Sequence, residues 1–359
     1  MLDFSYKALP WNIIFGAGAM ARLPAELDKL NLSRALVLST PAQAGQAQAI
    51  VELLDGRAVG LFDQAVMHVP LATVNDAIAE VKRLGVDCTV SLGGGSTTGL
   101  GKAMALKVDL PNIAIPTTYA GSEMTNIWGI TENERKMTGR DDRVVPTLVI
   151  YDPELTMTMP VSLAGPSGLN AMAQAVVNVA TGDLNPIVAA MALEAVKALS
   201  RSLPKIISDA GDLEARAEAM YGACLAGGAI GTGSTSLHHR LCHTFGGTFN
   251  TPHAETHTIL LPHSVAYNAA ATATGTQRIA EAMGVSDAAL GIFELAKAVG
   301  APVALKDLGV LERDLDRAAD IATEAPINNA EPVTRARVRK LLDNAWRGNA
   351  PAAIPASVA

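Results

Sequence analysis

Six of the seven histidines of this chain lie in one short stretch, residues 237–263, which reads LHHRLCHTFGGTFNTPHAETHTILLPH. Imidazole is the side chain suited both to proton transfer near neutral pH and to metal ligation. His239 and His243 are four residues apart, so on a helix they share a face, and His253 and His257 repeat that spacing. The cluster indicates a metal site, an acid–base site, or a former metal site with a new use.

The stretch matches no common zinc signature. In HAETH, Glu255 lies one position too late for the HExxH motif of zinc proteases, and the Pro-Cys-x-x-Cys partner of zinc deaminases is absent from the sequence. On a helix His238 points about 100° away from His239, and the pattern is compatible with a structural role for His238. His263, which follows two leucines and a proline, is equally compatible with a core position.

A second polar pair stands in the segment GPSGLNAMAQ, residues 165–174, which is typical of a turn entering a helix. Asn170 and Gln174 are again four residues apart and would share one helical face, as His239 and His243 do. These amides are therefore candidate partners of the histidine cluster.

A glycine-rich loop, residues 91–102, follows a predicted strand and begins a predicted helix. Gly93, Gly94 and Gly95 would let a ligand approach the backbone closely. Ser96 is predicted to cap the helix, whose free N–H groups suit a phosphate. The loop is neither a P-loop nor GxGxxG in register. The alternative is a tight strand-to-helix turn without a ligand.

A second loop, residues 115–123, follows the next predicted strand and reads IPTTYAGSE. The hydroxyls of Thr117 and Thr118 could contact a nucleotide, or serve only as turn residues. Open α/β sheets bind ligands at the carboxyl ends of neighbouring parallel strands, which is where these two loops would lie. We therefore expect a nucleotide site at this edge.

Short apolar runs alternate with helical patterns over the first 150 or so residues, which predicts parallel strands with helical crossovers. From about residue 165 the chain is alanine-rich with a helical period. We expect an α/β domain over residues 1–158 and an all-helical domain over residues 159–359. The predicted strands are Ala35–Leu38, Ala58–Phe62, Cys88–Leu92, Asn112–Ile115 and Thr147–Tyr151; the predicted helices are Leu71–Leu84, Met191–Ile207, Leu213–Ala229, Arg278–Val285, Ala289–Val299 and Arg335–Arg347.

The composition of the whole chain argues against certain classes of molecule as the main partner of the protein. The net charge of −7 over 359 residues disfavours nucleic acid or an anionic membrane as the main partner. No segment offers about 18 uninterrupted apolar residues, so we expect no membrane span. Three widely spaced cysteines and no signal-like N-terminus favour a reducing, cytoplasmic location.

Taken together, the motifs resemble the iron-containing alcohol dehydrogenase superfamily. The resemblance rests on GGGS at 93–96, PTT at 116–118, GSE at 121–123, the H-x-x-x-H of 239–243 and PHAE…LLPH…YN at 252–268. It runs in order along nearly the whole chain. Finer details are similar to its maleylacetate reductase branch: GGGSTTGLGK, YAGSEMTNIWGITE, TGRD, VIYDPELT and LHHRLCHTFGGTF.

The resemblance implies an N-terminal Rossmann-like dinucleotide-binding domain and an all-α C-terminal domain, a fold shared with dehydroquinate synthase, with an active-site cleft. It also implies a homodimer. In metal-dependent relatives an Asp and three His hold the ion, and by motif those positions here are Asn170, Gln174, His239 and His253. Amides are poor ligands for Fe²⁺ or Zn²⁺ compared with carboxylate or imidazole, so we expect no metal. His243 matches a non-ligand histidine near the nicotinamide.

The resemblance further implies reduction of the C=C bond of a dicarboxylate, maleylacetate or a substituted form, by NADH or NADPH. NADPH stays open because Ser39, Thr40 and Pro41, which follow the first predicted strand, include no acid to repel a 2′-phosphate. We expect residues 39–41, Gly93–Ser96, Thr117 and Thr118 to bind cofactor.

His243 is our hypothetical proton donor. His239 and His253 would act beside it, and Tyr119, Asn170 and Gln174 would contact substrate or the developing enolate. Two alternatives remain: a metal-dependent alcohol or aldehyde dehydrogenase of the same superfamily, or a non-catalytic homologue. Binding of an ion would favour the first, and failure to bind NAD(P)H the second.

Overall fold

The computed structural model describes residues 3–132, 135–180, 185–233 and 235–355. It divides into two compact units. One is Ala8–Met159, and the other is Pro160–Ala359 together with Met1–Lys7. Residues 3–7, which the sequence analysis assigns to the α/β domain, lie in the helical unit, where the Asn185 side-chain amide donates a hydrogen bond to the Ser5 carbonyl at 2.9 Å.

The unit Ala8–Met159 is built on a six-stranded, fully parallel sheet in the order β1-β8-β5-β4-β2-β3. Beside it lies an antiparallel pair, β6 and β7. The strands are β1 Ile13–Phe15, β2 Ala35–Leu38, β3 Ala58–Phe62, β4 Cys88–Gly93, β5 Asn112–Pro116, β6 Ile127–Glu132, β7 Arg135–Arg140 and β8 Leu148–Tyr151. Helices α1 Leu23–Lys29, α2 Ala44–Leu53, α3 Leu71–Leu84 and α4 Gly95–Val108 connect them.

Both faces of the sheet are covered, which explains why its strands are continuous apolar runs. In β2, Val37 lies in the core shared with α1 and α2, whereas Leu36 and Leu38 lie in the core shared with α3 and α4. Successive side chains of a strand point to opposite faces, so a single short run serves both cores.

The second unit is helical over its described residues. Its helices are α5 Val161–Val179, α6 Pro186–Ser208, α7 Leu213–Thr232, α8 Leu237–Thr248, α9 His253–Asn268, α10 Ala273–Met283, α11 Ala288–Ala298, α12 Asp314–Thr323 and α13 Arg335–Arg347. The parallel sheet with crossover helices and the helical unit confirm the predicted fold class.

Helix α8 carries the first histidines because its other face is anchored in a core. Leu237, Leu241 and Phe245 recur every four residues and are fully buried with residues of α9, α12 and α13. Burying three such side chains stabilises the helix by several kcal/mol, about 1.5–3 kcal/mol each. The apolar stripe therefore sets how α8 is rotated against α9.

Some elements escaped the sequence analysis. Strand β1 is only three residues long, and β6 and β7 are partly exposed and polar, so neither shows a buried apolar run. The turn expected at 165–174 is also wrong, because α5 already begins at Val161 and continues through Pro166. Within the described ranges no helix is both long and apolar enough to cross a membrane.

Candidate active site

The predicted cofactor loops come together at one edge of the sheet in the unit Ala8–Met159. β4 and β5 pair with Gly93 opposite Pro116, and the Thr117 backbone N–H donates to the Gly93 carbonyl at 3.1 Å. This register places the glycine loop beside the threonine loop. The edge is the carboxyl end of the parallel strands, where such sheets bind ligands.

Close packing requires glycine at two of the three glycine positions of the loop. Gly93 has a φ of +147°, and a Cβ there would lie 2.5 Å from Thr97 Oγ1. A Cβ at Gly94 would lie 2.8 Å from Thr118 Oγ1, whereas one at Gly95 would point into open space. Helix α4 begins at Gly95, with Gly94 as its N-cap and no side-chain capping bond. Ser96 is therefore inside the first turn, and its predicted capping role is wrong.

This arrangement fits a dinucleotide phosphate. The first N–H groups of α4 have no intrahelical acceptors, and the positive end of the helix dipole favours an anion. Gly95, at the helix start, is exposed and has no neighbouring side chain within 4 Å of a built Cβ. Gly93–Ser96 can therefore hold a phosphate through backbone groups.

The loop after β2 joins the same edge through a residue that sequence reasoning missed. Gln43 Nε2 donates to Thr117 Oγ1 at 2.7 Å, and Thr40 Oγ1 donates to Gln43 Oε1 at 3.3 Å. Ser39 is fully buried, and Pro41 begins a short 3-10 helix. Residues 39–41 are thus tied to the threonine loop. The pattern of the sequence contains no signal that singles out Gln43.

A buried lysine on α4 holds the end of the threonine loop and the residues that follow it. Lys102 on α4 donates through Nζ to the Ser122 carbonyl, the Thr125 carbonyl and hydroxyl, and the Ile127 carbonyl, at 2.5–2.9 Å. Burial lowers its pKa to about 7, and the Glu123 carboxylate opposes this shift. An ammonium group has three N–H donors, which these four oxygen acceptors share. Lys102 therefore holds the segment that follows Tyr119.

Tyr119 itself is fully buried. Nearby in sequence, Glu123 accepts a hydrogen bond from the Tyr151 hydroxyl at 2.8 Å, and burial raises the pKa of Glu123. The motif GSE thus has a structural partner in β8, next to the edge strand β1 of the sheet.

The histidine cluster is formed by α8 and α9 of the helical unit. The ring centroids of His239 and His243 lie 6.5 Å apart, and those of His253 and His257 lie 4.4 Å apart, as their shared faces predict. Across the two helices, the ring centroid of His239 lies 5.5 Å from that of His257. His243 and His253 are exposed, while His239 is buried.

Two further histidines lie against this group. The sequence is compatible with a structural role for His238, and in the structure its Nε2 atom lies 2.9 Å from His257 Nδ1, while its ring centroid lies 5.3 Å from that of His239. His257 contacts three other imidazoles. The repeated four-residue spacing was the signal that could have found His257. His263 is buried, and burial lowers its pKa to about 4.

Burial controls the charge of this cluster. It lowers the pKa of His238 to about 3, and it lowers the pKa of His239 and of His257 well below the usual value of 6.5. Neighbouring imidazoles add to the shift for each ring. These three rings are neutral at pH 7, so they offer one N–H and one lone pair each.

Asn170 and Gln174 lie on α5, which packs against α9. The Oδ1 atom of Asn170 is buried and has no hydrogen-bond partner among the described residues, and the same holds for His239 Nδ1. Buried polar atoms without protein partners are uncommon and point to a ligand or a bound water. Gln174 is half-buried.

Comparison with known proteins identifies the family. The model "Iron-containing alcohol dehydrogenase" matches residues 10–153, and "Fe-containing alcohol dehydrogenase family, C-terminal" matches residues 166–346. The chain belongs to the iron-containing alcohol dehydrogenase family. Within that family it is 49% identical to a maleylacetate reductase of Sphingobium indicum, over 98% of this chain and 99% of the relative.

Solved structures agree. The maleylacetate reductase of Agrobacterium tumefaciens superposes with a TM-score of 0.94 at 46% identity, covering 98% of this chain and 100% of that one. The maleylacetate reductase of Rhizobium sp. gives 0.93 at 46% identity with the same coverage. The resemblance to this branch inferred from the motifs is thereby confirmed, and the protein is an oxidoreductase.

The donor set for the family's metal does not fit an ion in this chain. Asn170 and Gln174 supply amides and His239 and His253 supply imidazoles, so no anionic ligand is present to offset a divalent charge. Fe²⁺ and Zn²⁺ prefer imidazole, thiolate or carboxylate. These four positions of this iron-containing alcohol dehydrogenase family member therefore form a poor metal site.

Proposed function

We propose that this protein reduces the C=C bond of maleylacetate to give 3-oxoadipate, with NADH or NADPH as reductant and without a metal. The observation that carries the proposal is the pair of amides, Asn170 and Gln174, at positions where metal-dependent relatives hold their ion. The identity of up to 49% with maleylacetate reductases over nearly the whole chain supports the same substrate.

The chemistry explains why an ion can be dispensed with. Alcohol dehydrogenation relies on a Lewis acid to manage an alkoxide. Reduction of an alkene conjugated to a ketone instead spreads negative charge over an enolate. Hydrogen-bond donors can stabilise an enolate, and one acid can supply the proton that completes the reaction.

The sheet unit holds the reductant. Gly93–Ser96 would bind the pyrophosphate at the start of α4. Thr117, which Gln43 fixes, and Thr118 would contact the cofactor next to it. When bound, the nicotinamide cofactor supplies the hydride. Residues 39–41 contain no acid, so both NADH and NADPH are compatible with this edge.

The helical unit supplies the proton and the substrate contacts. His243 is exposed on α8, which leaves it able to reach a substrate and to exchange its proton with solvent. His239 is neutral because of its burial, so it would contribute a hydrogen bond rather than a charge. Asn170 offers a buried amide whose oxygen has no partner within the described residues. We propose His243 as the acid, with His239, His253 and Asn170 orienting the substrate.

A metal-dependent alcohol or aldehyde dehydrogenase is the competing function within the family. It would need a bound ion despite the two amides. Oxidation of NADH and of NADPH should be followed at 340 nm with maleylacetate, before and after dialysis against EDTA, and metal content should be measured on the same samples. Equal activity in both samples supports the proposal. Activity lost with EDTA and restored by Fe²⁺ or Zn²⁺ would overturn the metal-free mechanism, and no reduction of maleylacetate would overturn the substrate.

A further inference from the structure

His257 is the most central ring of the histidine cluster, although no motif assigns it a role. It lies one turn after His253 on α9 and is 2% exposed. Its ring centroid is 4.4 Å from that of His253, 4.8 Å from that of His238 and 5.5 Å from that of His239. A ring so placed can influence the orientation of each neighbour.

One hydrogen bond fixes how His257 is held. His238 Nε2 and His257 Nδ1 lie 2.9 Å apart, both rings are buried, and both are neutral at pH 7. Between two neutral imidazoles one nitrogen donates and the other accepts, so the direction of this bond sets the tautomer of both rings.

The contacts of His238 differ between its two ring nitrogens. Its Nδ1 atom is buried and has no hydrogen-bond partner among the described residues, so the direction of the bond is inferred from the neighbours of Nε2.

Cys242 indicates that His238 Nε2 is the acceptor in the bond with His257. Its Sγ atom lies 3.7 Å from His238 Nε2, and burial raises the pKa of this thiol well above its usual value, so it stays protonated. A thiol is a weak donor, and a bare Nε2 can accept from it as well as from His257.

We propose that His257 is a positioning residue of the active site, held by His238 as the tautomer protonated on Nδ1, with a bare Nε2 beside His253 and His239. That Nε2 atom is buried and has no hydrogen-bond partner among the described residues. It can accept an N–H from His253, which would turn the other nitrogen of His253 toward substrate. Residues that orient a reacting imidazole in this way commonly change activity by about 10–100-fold when replaced. This role rests on the proposed function.

A buried metal is the competing explanation. His238, Cys242 and His257 bring ligand atoms within 4.8 Å of one another. However, the two nitrogens are already at hydrogen-bond distance, and a protonated thiol is a poor ligand. The experiment should therefore include metal analysis of the wild type and of the Cys242→Ser variant.

The decisive variants are His257→Asn and His257→Gln. An Asn amide can occupy the place of Nδ1 and keep the bond to His238, but it offers nothing at the place of Nε2. A Gln amide can reach the Nε2 position with its oxygen and restore the acceptor. We expect His257→Asn to lower kcat for maleylacetate about 10-fold or more with the Kd for NADH unchanged, and His257→Gln to recover most of that loss. Equal losses of kcat in both variants, or losses of kcat that parallel a fall in the thermal midpoint, would overturn the positioning role.

The tautomer can be tested without any activity. In ¹⁵N-labelled full-length protein, imidazole nitrogen shifts assigned by comparison with the two variants should show His257 protonated on Nδ1 and His238 also protonated on Nδ1. The opposite tautomer of His257, or one equivalent of metal in the wild type that is lost in Cys242→Ser, would overturn the proposal. Because this readout uses no substrate, it stands even if maleylacetate proves not to be reduced, and the two failures are distinguishable.

Discussion

Gly94 and Thr118 come from neighbouring strands and pack so closely that a Cβ atom at Gly94 would lie 2.8 Å from the Thr118 hydroxyl oxygen. At the next residue the situation is reversed, since a Cβ at Gly95 would meet open space. Gly94 is thus needed for packing within the protein, whereas Gly95 leaves open the space that we propose for the cofactor phosphate.

Gly95→Ala should separate binding from stability. The added methyl group meets no protein atom, so the thermal midpoint should hold or rise slightly. It would occupy the space proposed for the cofactor phosphate, and the Kd for NADH should rise about 10-fold. Fluorescence titration with NADH and a thermal scan measure the two effects. Gly45→Ala on α2, which also adds a methyl group in open space, is the matched control and should leave NADH binding unchanged.

Restoring the missing donors should create a metal site. We expect the double variant Asn170→Asp, Gln174→His to bind close to one equivalent of Fe²⁺ or Zn²⁺, because it regains an anionic ligand and a third imidazole. Elemental analysis after gel filtration is the measurement, with Asn170→Asp alone as the intermediate case. A wild type that already carries one equivalent would contradict our account of the two amides.

His243→Ala should reduce turnover and leave cofactor affinity intact. Removal of a general acid typically costs about 10²–10⁴-fold in rate. The effect should appear in kcat, because a proton donor acts in the chemical step rather than in binding of the cofactor. Steady-state kinetics with maleylacetate and an NADH titration provide the test. Unchanged turnover would remove His243 from the mechanism.

The free energy of unfolding should fall in mild acid. His238, His239, His257 and His263 are buried with lowered pKa values, so below pH 6.5 the unfolded chain binds protons that the folded chain refuses. Their contribution is complete above pH 6.5 and declines as the pH falls toward 4. Each such ring adds about 1.4 kcal/mol per pH unit.

Urea unfolding at pH 7.5, 6.0 and 5.0 would measure this slope. His263→Gln removes one buried ring that is not part of the His238–His257 pair. It should lower the slope of the unfolding free energy against pH by the equivalent of about one proton. An identical slope in that variant would show that His263 does not titrate differently in the two states.

Lys102→Met should be strongly destabilising. It leaves buried carbonyl oxygens of Ser122, Thr125 and Ile127 without their shared donor. The expected loss is about 3 kcal/mol of unfolding free energy. Lys107→Met changes an exposed lysine on the same helix and is the control, with little expected effect. Similar urea midpoints for both variants would show that the hydrogen bonds of Lys102 contribute little to stability.

The elements nearest the site show how far sequence patterns reach. Strands β2 and β3 have the predicted bounds because they are apolar runs flanked by polar residues, β2 fully buried and β3 half-buried at the edge of the sheet. The start of α4 was placed correctly at the glycine loop, but its cap was not, because the backbone of Gly94 turns before Ser96. Local composition can identify a strand-to-helix junction without determining which residue begins the helix.

The sequence by itself determined the chemistry available to this protein. The identities of Asn170 and Gln174, and the four-residue spacings of the histidines, are local facts that hold in any helix. Only the tertiary structure decided that His238 pairs with His257 across two helices, and that Gln43 fixes Thr117 across two loops. It also decided that burial keeps His239 neutral. Such contacts depend on how elements rotate and pack against one another, which no periodicity within one element can specify.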